Sequence, residues 1–350
     1  MEFIELQNSE GRSISVRFRP ARAEDAPAIV GCIRDEYGEK YHKRKMYDTE
    51  YLIRQGEAGR LNFYVVELPE GNIIGILGIQ RDLPEDASCS ITTGIVLKPY
   101  RGYHIFFPLA KYIAREILAM ESVSAIYCRM ILYHDITQKR MQRLGLVPCG
   151  LVPGLIAARN FQHSYERDGN EKLTLGMMIR KREKRDAGTL YLPPEHREIA
   201  ERIYGALRVK YEISAEIRPL EGASDISFSN DALQRTGTIE IHAPGADLVD
   251  KIREIHREQD GEGQTFNAFL NISHPGSIAA YHELAKLGYF FAGFRPICCR
   301  HELMVLHHPG RVRIDFDALR LIPSFADLRD YVRNCYERRC VTKDGESNGD

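Results

Sequence analysis

Apolar positions change spacing several times along the first half of the chain. Residues 24–37 repeat apolar side chains at helical spacing, whereas residues 63–68 and 73–79 are β-rich runs joined by a Pro-Glu-Gly-Asn turn, which predicts a hairpin. The same reading predicts strands at 16–20, 88–98, 124–132 and 173–179, and helices at 47–55, from about 105 to 120, and at 137–144. This alternation predicts an α/β fold with a mixed sheet.

The two halves of the chain share a constant spacing. GIVLKPYRGYHIF begins at Gly94 and GTIEIHAPGADLV begins at Gly237, 143 positions later (237 − 94). Further along, the same offset relates Gly145 to Gly288, Gly150 to Gly293 and Pro153 to Pro296. A constant offset favours an internal repeat, and two unrelated units with a common strand-glycine-helix pattern are the alternative. We predict a tandem pair of similar α/β domains, 1–185 and 186–338, the second copy degenerate, followed by a disordered tail at 339–350.

Composition narrows the class of protein. The 350 residues are 28% charged and 43% apolar with a net charge of −1, which predicts a soluble globular protein without the basic field that nucleic acid or an acidic membrane attracts. No signal-like N-terminus or long apolar segment is visible, so we expect a cytoplasmic protein. The eight cysteines lack metal-binding spacings and predict structural thiols, with no metal. The charged run 180–185 predicts a solvated linker.

A strand passes into a helix through Arg101-Gly102. The first N–H groups of a helix have no intrahelical partners, and the helix dipole favours an anion there. A glycine permits close approach of a phosphate, and an arginine adds a charged donor. The pattern therefore suits a pyrophosphate, although an ordinary tight turn with a surface arginine explains it equally well.

The order of elements and two motifs resemble the GNAT acyltransferase superfamily. Its Q/R-x-x-G-x-G/A loop, which holds the pyrophosphate of acetyl-CoA, corresponds here to Arg101, Gly102, Tyr103, His104, Ile105 and Phe106. A second family pattern matches in spacing at His134, Thr137, Met141, Gly145 and Leu146. The resemblance covers residues 14 to 180, and the repeat extends it in degenerate form to 190–333. It implies that acetyl-CoA or another acyl-CoA is a cosubstrate, with Thr137 near it and a backbone N–H of Ile95, Val96 or Leu97 polarising the thioester.

Several positions depart from the family pattern. His104 and Phe106 replace small residues of the loop, and Met141 replaces the tyrosine that often acts as the acid. In the second copy the arginine position is Pro244, with only Gly245 retained, so we do not expect that half to bind CoA.

The remaining candidates for catalysis are a histidine, two tyrosines and a glutamate. Tyr133 and Tyr103 are candidate acids, and His134 is a candidate acid or base or else a loop histidine. Glu67 is a candidate base for the acceptor amine or a solvent-facing strand residue. The segment 37–47, rich in tyrosine and basic residues, lies where the family places a loop over the acceptor, and an exposed basic loop is the alternative.

Together these features predict an acyl-CoA-dependent N-acyltransferase, acting by direct attack of an amine without a metal. A non-catalytic CoA-binding sensor and a structural protein without a ligand are the alternatives. The acceptor, which is a small molecule or a protein amine, and the oligomeric state are left open by the sequence.

Overall fold

The computed structural model describes residues 2–39, 41, 43–81, 87–157, 172–182, 188–298 and 301–345, with backbone only at 157, 296–298 and 339–345. The chain divides into two compact units, Met1–Arg129 and Met130–Asp350. This division differs from the predicted boundary at 185/186, because strands on either side of that boundary pair with each other. The predicted boundary rested on the repeat and stays a prediction.

The N-terminal unit is a mixed sheet with helices. Its strands follow the order β1-β2-β3-β4-β5-β6, and all neighbours are antiparallel except β5 and β6. The elements are β1 (Ile4–Gln7), β2 (Ser13–Pro20), α1 (Ala26–Tyr37), α2 (Thr49–Glu57), β3 (Leu61–Glu67), β4 (Ile73–Gln80), β5 (Ser88–Val96), α3 (Phe106–Ala119) and β6 (Ala125–Ile131), the last of which runs into the second unit.

Helices α1 and α2 pack on this sheet through their apolar faces. Ile29 and Ile33 of α1 and Leu52 of α2 are buried against Val65 and Ile76 of the central strands. Burial of such side chains stabilises the unit by about 1.5–3 kcal/mol each. The helical and hairpin spacings in the sequence therefore predicted these elements correctly.

The C-terminal unit is also built on a mixed sheet. Its order is β8-β7-β14-β15-β13-β12-β11, antiparallel except for β12 and β13, and β9 and β10 form a separate parallel pair. The elements are α4 (Ile136–Arg143), β7 (Val147–Ala157), β8 (Lys172–Lys181), β9 (Thr189–Tyr191), α5 (Arg197–Ala206), β10 (Glu212–Ser214), β11 (Asp225–Asp231), β12 (Thr236–Ala243), α6 (Leu248–Glu258), β13 (Thr265–Asn271), α7 (Ser277–Lys286), β14 (Phe290–Cys298), β15 (His301–His308) and α8 (Pro323–Gly345). The predicted α/β class with a mixed sheet is confirmed.

Strands β7 and β14 carry matching irregularities. The register of β7 against β8 shifts between Pro148 and Gly150, and that of β14 against β15 shifts between Phe291 and Gly293. These positions are related by the offset of 143 residues (293 − 150) found in the sequence. A β-bulge is a specific backbone feature, so its recurrence at the same offset supports the repeat hypothesis.

Two sequence predictions about polar segments need correction. Lys181, in the predicted solvated linker, is buried at the end of β8 and forms an ion pair with the buried Glu302. The buried carboxylate also accepts a hydrogen bond from Tyr204 Oη at 3.0 Å, and these partners offset the cost of burying the ammonium. Residues 339–345 belong to helix α8 rather than to a disordered tail, and 346–350 lie outside the described residues.

The described segments add three observations, on the cysteines, the helices and the possible metal ligands. Cys32, Cys89, Cys128 and Cys149 are buried free thiols, and burial raises the pKa of Cys32 to about 11 and that of Cys128 to about 12. Every helix in these segments is too short or too polar to traverse a bilayer. The same segments contain no group of three or more His, Cys, Asp or Glu side chains suited to a metal.

Candidate functional site

Strand β5 separates from its parallel neighbour halfway along its length. Pairing with β6 begins at Ser88 and ends at Ile91, opposite Cys128, whereas β5 continues to Val96. On its other side, β5 has one extra residue relative to β4, and Thr93 there has φ +46°. Such a bulge bends the strand away from its neighbour. The second half of β5 therefore presents an edge that β6 does not cover.

The peptide of Val96 faces this uncovered edge. Leu97 N–H donates to Ile74 O on β4 at 3.0 Å, and hydrogen bonds alternate in direction along an antiparallel strand. The backbone groups of Ile95 and Leu97 therefore point to β4, and those of Val96 point away from it. Accordingly, the Val96 carbonyl accepts a hydrogen bond from Arg101 Nε at 2.9 Å. Of the three residues predicted to polarise a thioester, Val96 has the suitable orientation.

Arg101 is tied to two neighbours. Besides Val96, its guanidinium forms an ion pair with Glu36 near the end of α1. The arginine side chain is 47% exposed, and the recorded bonds use Nε and one terminal nitrogen among its five donors. The arginine is thus placed at the open end of β5, where Glu36 competes with any phosphate for it.

The backbone of the loop after Arg101 is left-handed at His104. His104 has φ +57°, in the left-handed region that costs a non-glycine residue about 1–2 kcal/mol, and its side chain is exposed. Helix α3 begins directly afterwards, and within the part of the chain that the structure describes its N-cap residue Ile105 makes no side-chain capping hydrogen bond. Its first turn contains no acidic residue. The helix N-terminus therefore retains positive potential for an anion.

The surroundings of two other loop positions, Phe106 and Gly102, differ from what the motif predicts. The Phe106 ring packs on β5, where a Cβ added to Gly94 would lie 2.5 Å from its Cε2 atom and 2.8 Å from Leu77 Cδ1. A Cβ added to Gly102 would approach only Asn8, at 3.8 Å. The large residue that replaces a small one in the motif is accommodated by a glycine on the strand, and Gly102 is not required by the surrounding side chains.

Hydroxyl and amino groups from segment 37–47 meet the bulge of β5. Tyr41 Oη lies 2.9 Å from Thr93 Oγ1, and Lys43 Nζ donates to Thr92 Oγ1 at 2.7 Å. Tyr47 holds the segment, since its hydroxyl donates to Gly38 O and accepts from Tyr41 N–H. Lys40 and His42 lie outside the described residues. The sequence indicated the segment but not these contacts, because the pairing partner depends on the bulge.

Glu67 is engaged in an ionic network and not poised as a base. Its carboxylate accepts from Arg17 Nε at 2.8 Å and from Arg19 at 3.1–3.2 Å, and Arg19 also binds Asp25. The hydrogen bond from Arg19 is the main cause of the lowered pKa of Glu67. A carboxylate with a lowered pKa is a weak base. The geometry therefore disfavours the predicted catalytic role, and Glu67 is also buried rather than solvent-facing.

Tyr133, His134 and Thr137 belong to the C-terminal unit. His134 is partly buried, and burial lowers its pKa. Its Nδ1 atom has no hydrogen-bond partner among the described residues, whereas its carbonyl accepts from Gln138 at 2.7 Å. Met141 is fully buried in the core. The predicted roles of Tyr133, His134 and Thr137 stay predictions.

The counterpart of the loop in the second half is filled by the chain itself. Strands β12 and β13 stay paired from Thr236 to Ile241, so they do not separate as β5 and β6 do. Gly245 N–H donates to Ser224 Oγ at 2.8 Å, and Ala246 N–H donates to Gly222 O at 2.9 Å. A Cβ on Gly245 would lie 2.6 Å from the backbone of residues 222–224. The chain thus satisfies the amides that a phosphate would bind.

Comparisons with known proteins give distant similarities. No family model matches the chain, and no curated protein matches it. Spermidine N-acetyltransferase SpeG from Vibrio cholerae, solved in complex with CoA and spermine, is 13% identical with a TM-score of 0.38, over 47% of this chain and 94% of that one. A structure assigned as a phosphinothricin N-acetyltransferase is 17% identical with a TM-score of 0.35, over 49% and 100%. These proteins belong to the class that the sequence resembles, but at such scores the similarity does not decide the function.

Proposed function

We propose that the protein is an acyl-CoA-dependent N-acyltransferase, with acetyl-CoA and an amine as substrates, and that its N-terminal unit binds CoA. The observation that carries the proposal is the separation of β5 from β6 at Ile91, directly before the Arg101 loop and the uncapped start of α3. The uncovered strand edge offers N–H donors to a ligand chain that contains amides. The helix N-terminus that follows it along the chain offers N–H donors to a diphosphate.

The chemistry is a direct transfer. The amine nitrogen attacks the thioester carbonyl carbon, a C–N bond forms and the C–S bond breaks, the nitrogen loses a proton, and the thiolate gains one. In this proposal the N–H of Val96 donates to the carbonyl oxygen as negative charge develops on it, which lowers the barrier. Tyr133 and His134 remain our candidates for the proton donor on the basis of the resemblance, and the buried Tyr41 hydroxyl at the bulge is a further one.

We infer that the two halves are tandem copies of one fold and that the second copy has lost the ligand. The matching bulges of β7 and β14 support the repeat. The contacts of Gly245 and Ala246 with residues 222–224 support the loss, because a phosphate would have to displace this segment. We also propose, from the sequence, that the protein acts in the cytoplasm.

Binding of CoA by the full-length protein tests the proposal. We expect millimolar CoA to raise the melting temperature, and Arg101→Ala to weaken binding by about 1–3 kcal/mol if the arginine contacts phosphate. Arg115→Ala is the matched control, since Arg115 is exposed on α3 and pairs with Glu116. Absence of any CoA binding would exclude both the enzyme and the sensor.

A second candidate function is a CoA-binding sensor without catalysis. The specific observation in its favour is that Met141, at the usual position of the catalytic tyrosine, is fully buried and has no proton to give. Thiol release from acetyl-CoA in the presence of an amine panel separates the candidates. Binding of CoA without thiol release for any amine would favour the sensor.

A further inference from the structure

The alternation of side chains along β5 is broken at two adjacent threonines. Successive side chains of a regular strand point to opposite faces. Here the Oγ1 atoms of Thr92 and Thr93 lie 3.3 Å apart, at the point where β5 has one extra residue relative to β4. A shift of one residue reverses the side to which each later residue of a strand points. The outward orientation of the Val96 peptide therefore depends on the extra residue.

Thr93 has a backbone conformation that its residue type disfavours. Its φ is +46°, in the left-handed region where one common type of bulge has glycine. A β-branched side chain crowds the backbone there. Conformations of this kind persist only where the surrounding structure holds them. The bulge of β5 therefore needs a contact that fixes Thr93.

Tyr41, in segment 37–47, makes such a contact. Its Oη atom lies 2.9 Å from Thr93 Oγ1. The tyrosine is buried, its ring stacks on that of Tyr37 with centroids 4.6 Å apart, and its N–H donates to Tyr47 Oη at 2.9 Å. Burial raises the pKa of Tyr41, so the hydroxyl stays protonated at neutral pH. The phenol is thus fixed by its own segment and hydrogen-bonded to the residue whose backbone is strained.

The bulge also supports the start of helix α3. Gly94 follows Thr93, and a Cβ at Gly94 would lie 2.5 Å from Phe106 Cε2. Phe106 is the first residue of α3. A change in the bulge would therefore move both the strand edge that contains Val96 and the helix N-terminus that offers N–H donors to a diphosphate.

We propose that Tyr41 is a positioning residue for acyl transfer, which acts through its hydrogen bond to Thr93 and keeps the bulge of β5 in the form that turns the Val96 N–H to the open edge. This assignment rests on the proposed acyltransferase function and adds a residue to its site. Tyr41 is also a candidate proton donor, but a donor acts on the departing thiolate in the transition state and would leave the affinity for CoA unchanged. A positioning role acting through Thr93 changes that affinity.

Substitutions on both sides of the hydrogen bond test the assignment in the full-length protein, with the affinity for CoA measured by calorimetric titration. Tyr41→Phe removes the phenol hydroxyl and Thr93→Val removes its partner, so each should weaken CoA binding by about 3–10-fold, the range that one hydrogen bond gives. Thr93→Gly also removes the partner but adopts a positive φ without strain, and its affinity should stay within about 2-fold of the wild type. Adding Tyr41→Phe to Thr93→Gly should cause no further loss. Tyr51→Phe is the matched control, since Tyr51 packs on the core of the same unit from α2, and wild-type affinity is expected.

The outcomes distinguish the assignment from the function. Wild-type affinity in Tyr41→Phe, even with a lower melting temperature, or equal weakening by Thr93→Gly and Thr93→Val would overturn the assignment and leave CoA binding in place. A further loss on adding Tyr41→Phe to Thr93→Gly would also overturn it, because the tyrosine would then act without Thr93. Absence of CoA binding by the wild type would overturn the proposed function and the assignment with it. A cooperative melting transition shows that each variant is folded, and Thr93→Val provides the same test if Tyr41→Phe does not fold.

Discussion

Gly150 and Gly293, the glycines that the repeat relates, lie opposite each other on paired strands. They form the pair by which β7 and β14 join in antiparallel orientation. A side chain on Gly293 would overlap Gly150 and place its Cβ 2.5 Å from the Cys149 carbonyl oxygen. Gly293 also has φ +135°, which L residues rarely adopt. The junction of the two strands therefore depends on glycine at both positions, and more strongly on Gly293.

We expect unequal effects from substituting the two glycines. Gly293→Ala meets backbone atoms that cannot rotate away and an unfavourable φ, so it should lower the free energy of unfolding by more than about 3 kcal/mol. Gly150→Ala is the matched comparison, since its Cβ meets mainly the flexible end of Met177, and about 1–2 kcal/mol is expected. Urea unfolding monitored by circular dichroism measures both. Equal losses would contradict the backbone contact described here.

The sequence predicted the local elements and the repeat, but not the pairing partners. The offset between Gly150 and Gly293 was visible, yet their contact depends on two long-range strand pairings that spacing does not encode. The burial of Lys181 was missed for a related reason. Its partner Glu302 lies 121 positions later (302 − 181), and the charged run itself contains no signal for so distant a partner.

The candidate site shows the same limit. The Arg101 motif and segment 37–47 were recognisable from residue types, whereas the bulge at Thr93 that joins them was not. A positive φ at a threonine has no reliable sequence signal, because β-branched residues disfavour it. The involvement of Glu67 with two arginines depends on strand pairing between β2 and β3, so it also escaped sequence reasoning.

Removal of the carboxylate at Glu36 should strengthen CoA binding. Glu36 pairs with the Arg101 guanidinium, so a phosphate must compete with it. Because the pair is partly exposed, its release is worth up to about 1 kcal/mol, and Glu36→Gln should tighten CoA binding by up to about 5-fold. Calorimetric titration measures the affinity. Glu39→Gln, which breaks the pair with Arg34 instead, should leave it unchanged. Weaker binding in Glu36→Gln would show that Glu36 positions Arg101 for the ligand.

The left-handed conformation of His104 predicts different effects on stability for two substitutions. His104→Gly removes a conformational cost of about 1–2 kcal/mol but increases the entropy of the unfolded chain, so stability should change by less than about 1 kcal/mol. The substitution also removes a side chain that could keep CoA from the loop backbone, so we expect the affinity for CoA to be equal or higher. His104→Val places a β-branched residue at φ +57° and should destabilise by about 1–2 kcal/mol. Thermal unfolding and CoA titration check both. Markedly weaker CoA binding by His104→Gly would instead assign the imidazole a role in binding.

Acid should destabilise the protein through His196. Its ring is 1% exposed, lies 4.5 Å from the Phe291 ring, and bonds through Nδ1 to Tyr331 Oη at 2.8 Å. Burial lowers its pKa to about 3. The unfolded chain therefore binds a proton near pH 6.5 that the folded chain takes up only near pH 3, so the stability contributed by the neutral ring is complete above pH 6.5 and declines below it.

His196→Phe tests this linkage while preserving a flat ring against Phe291. Tyr331 Oη donates to the Glu195 carbonyl at 2.6 Å, and we expect this hydrogen bond to persist in the variant. One proton corresponds to a slope of about 1.4 kcal/mol per pH unit, so the fall in unfolding free energy between pH 6 and pH 5 should be smaller in the variant by about this amount. Some slope will remain, because burial also lowers the pKa of His307. Urea unfolding at each pH gives both curves, which should run parallel above pH 7.5. Parallel curves down to pH 5 would show that His196 is already charged, or solvated, in the folded protein.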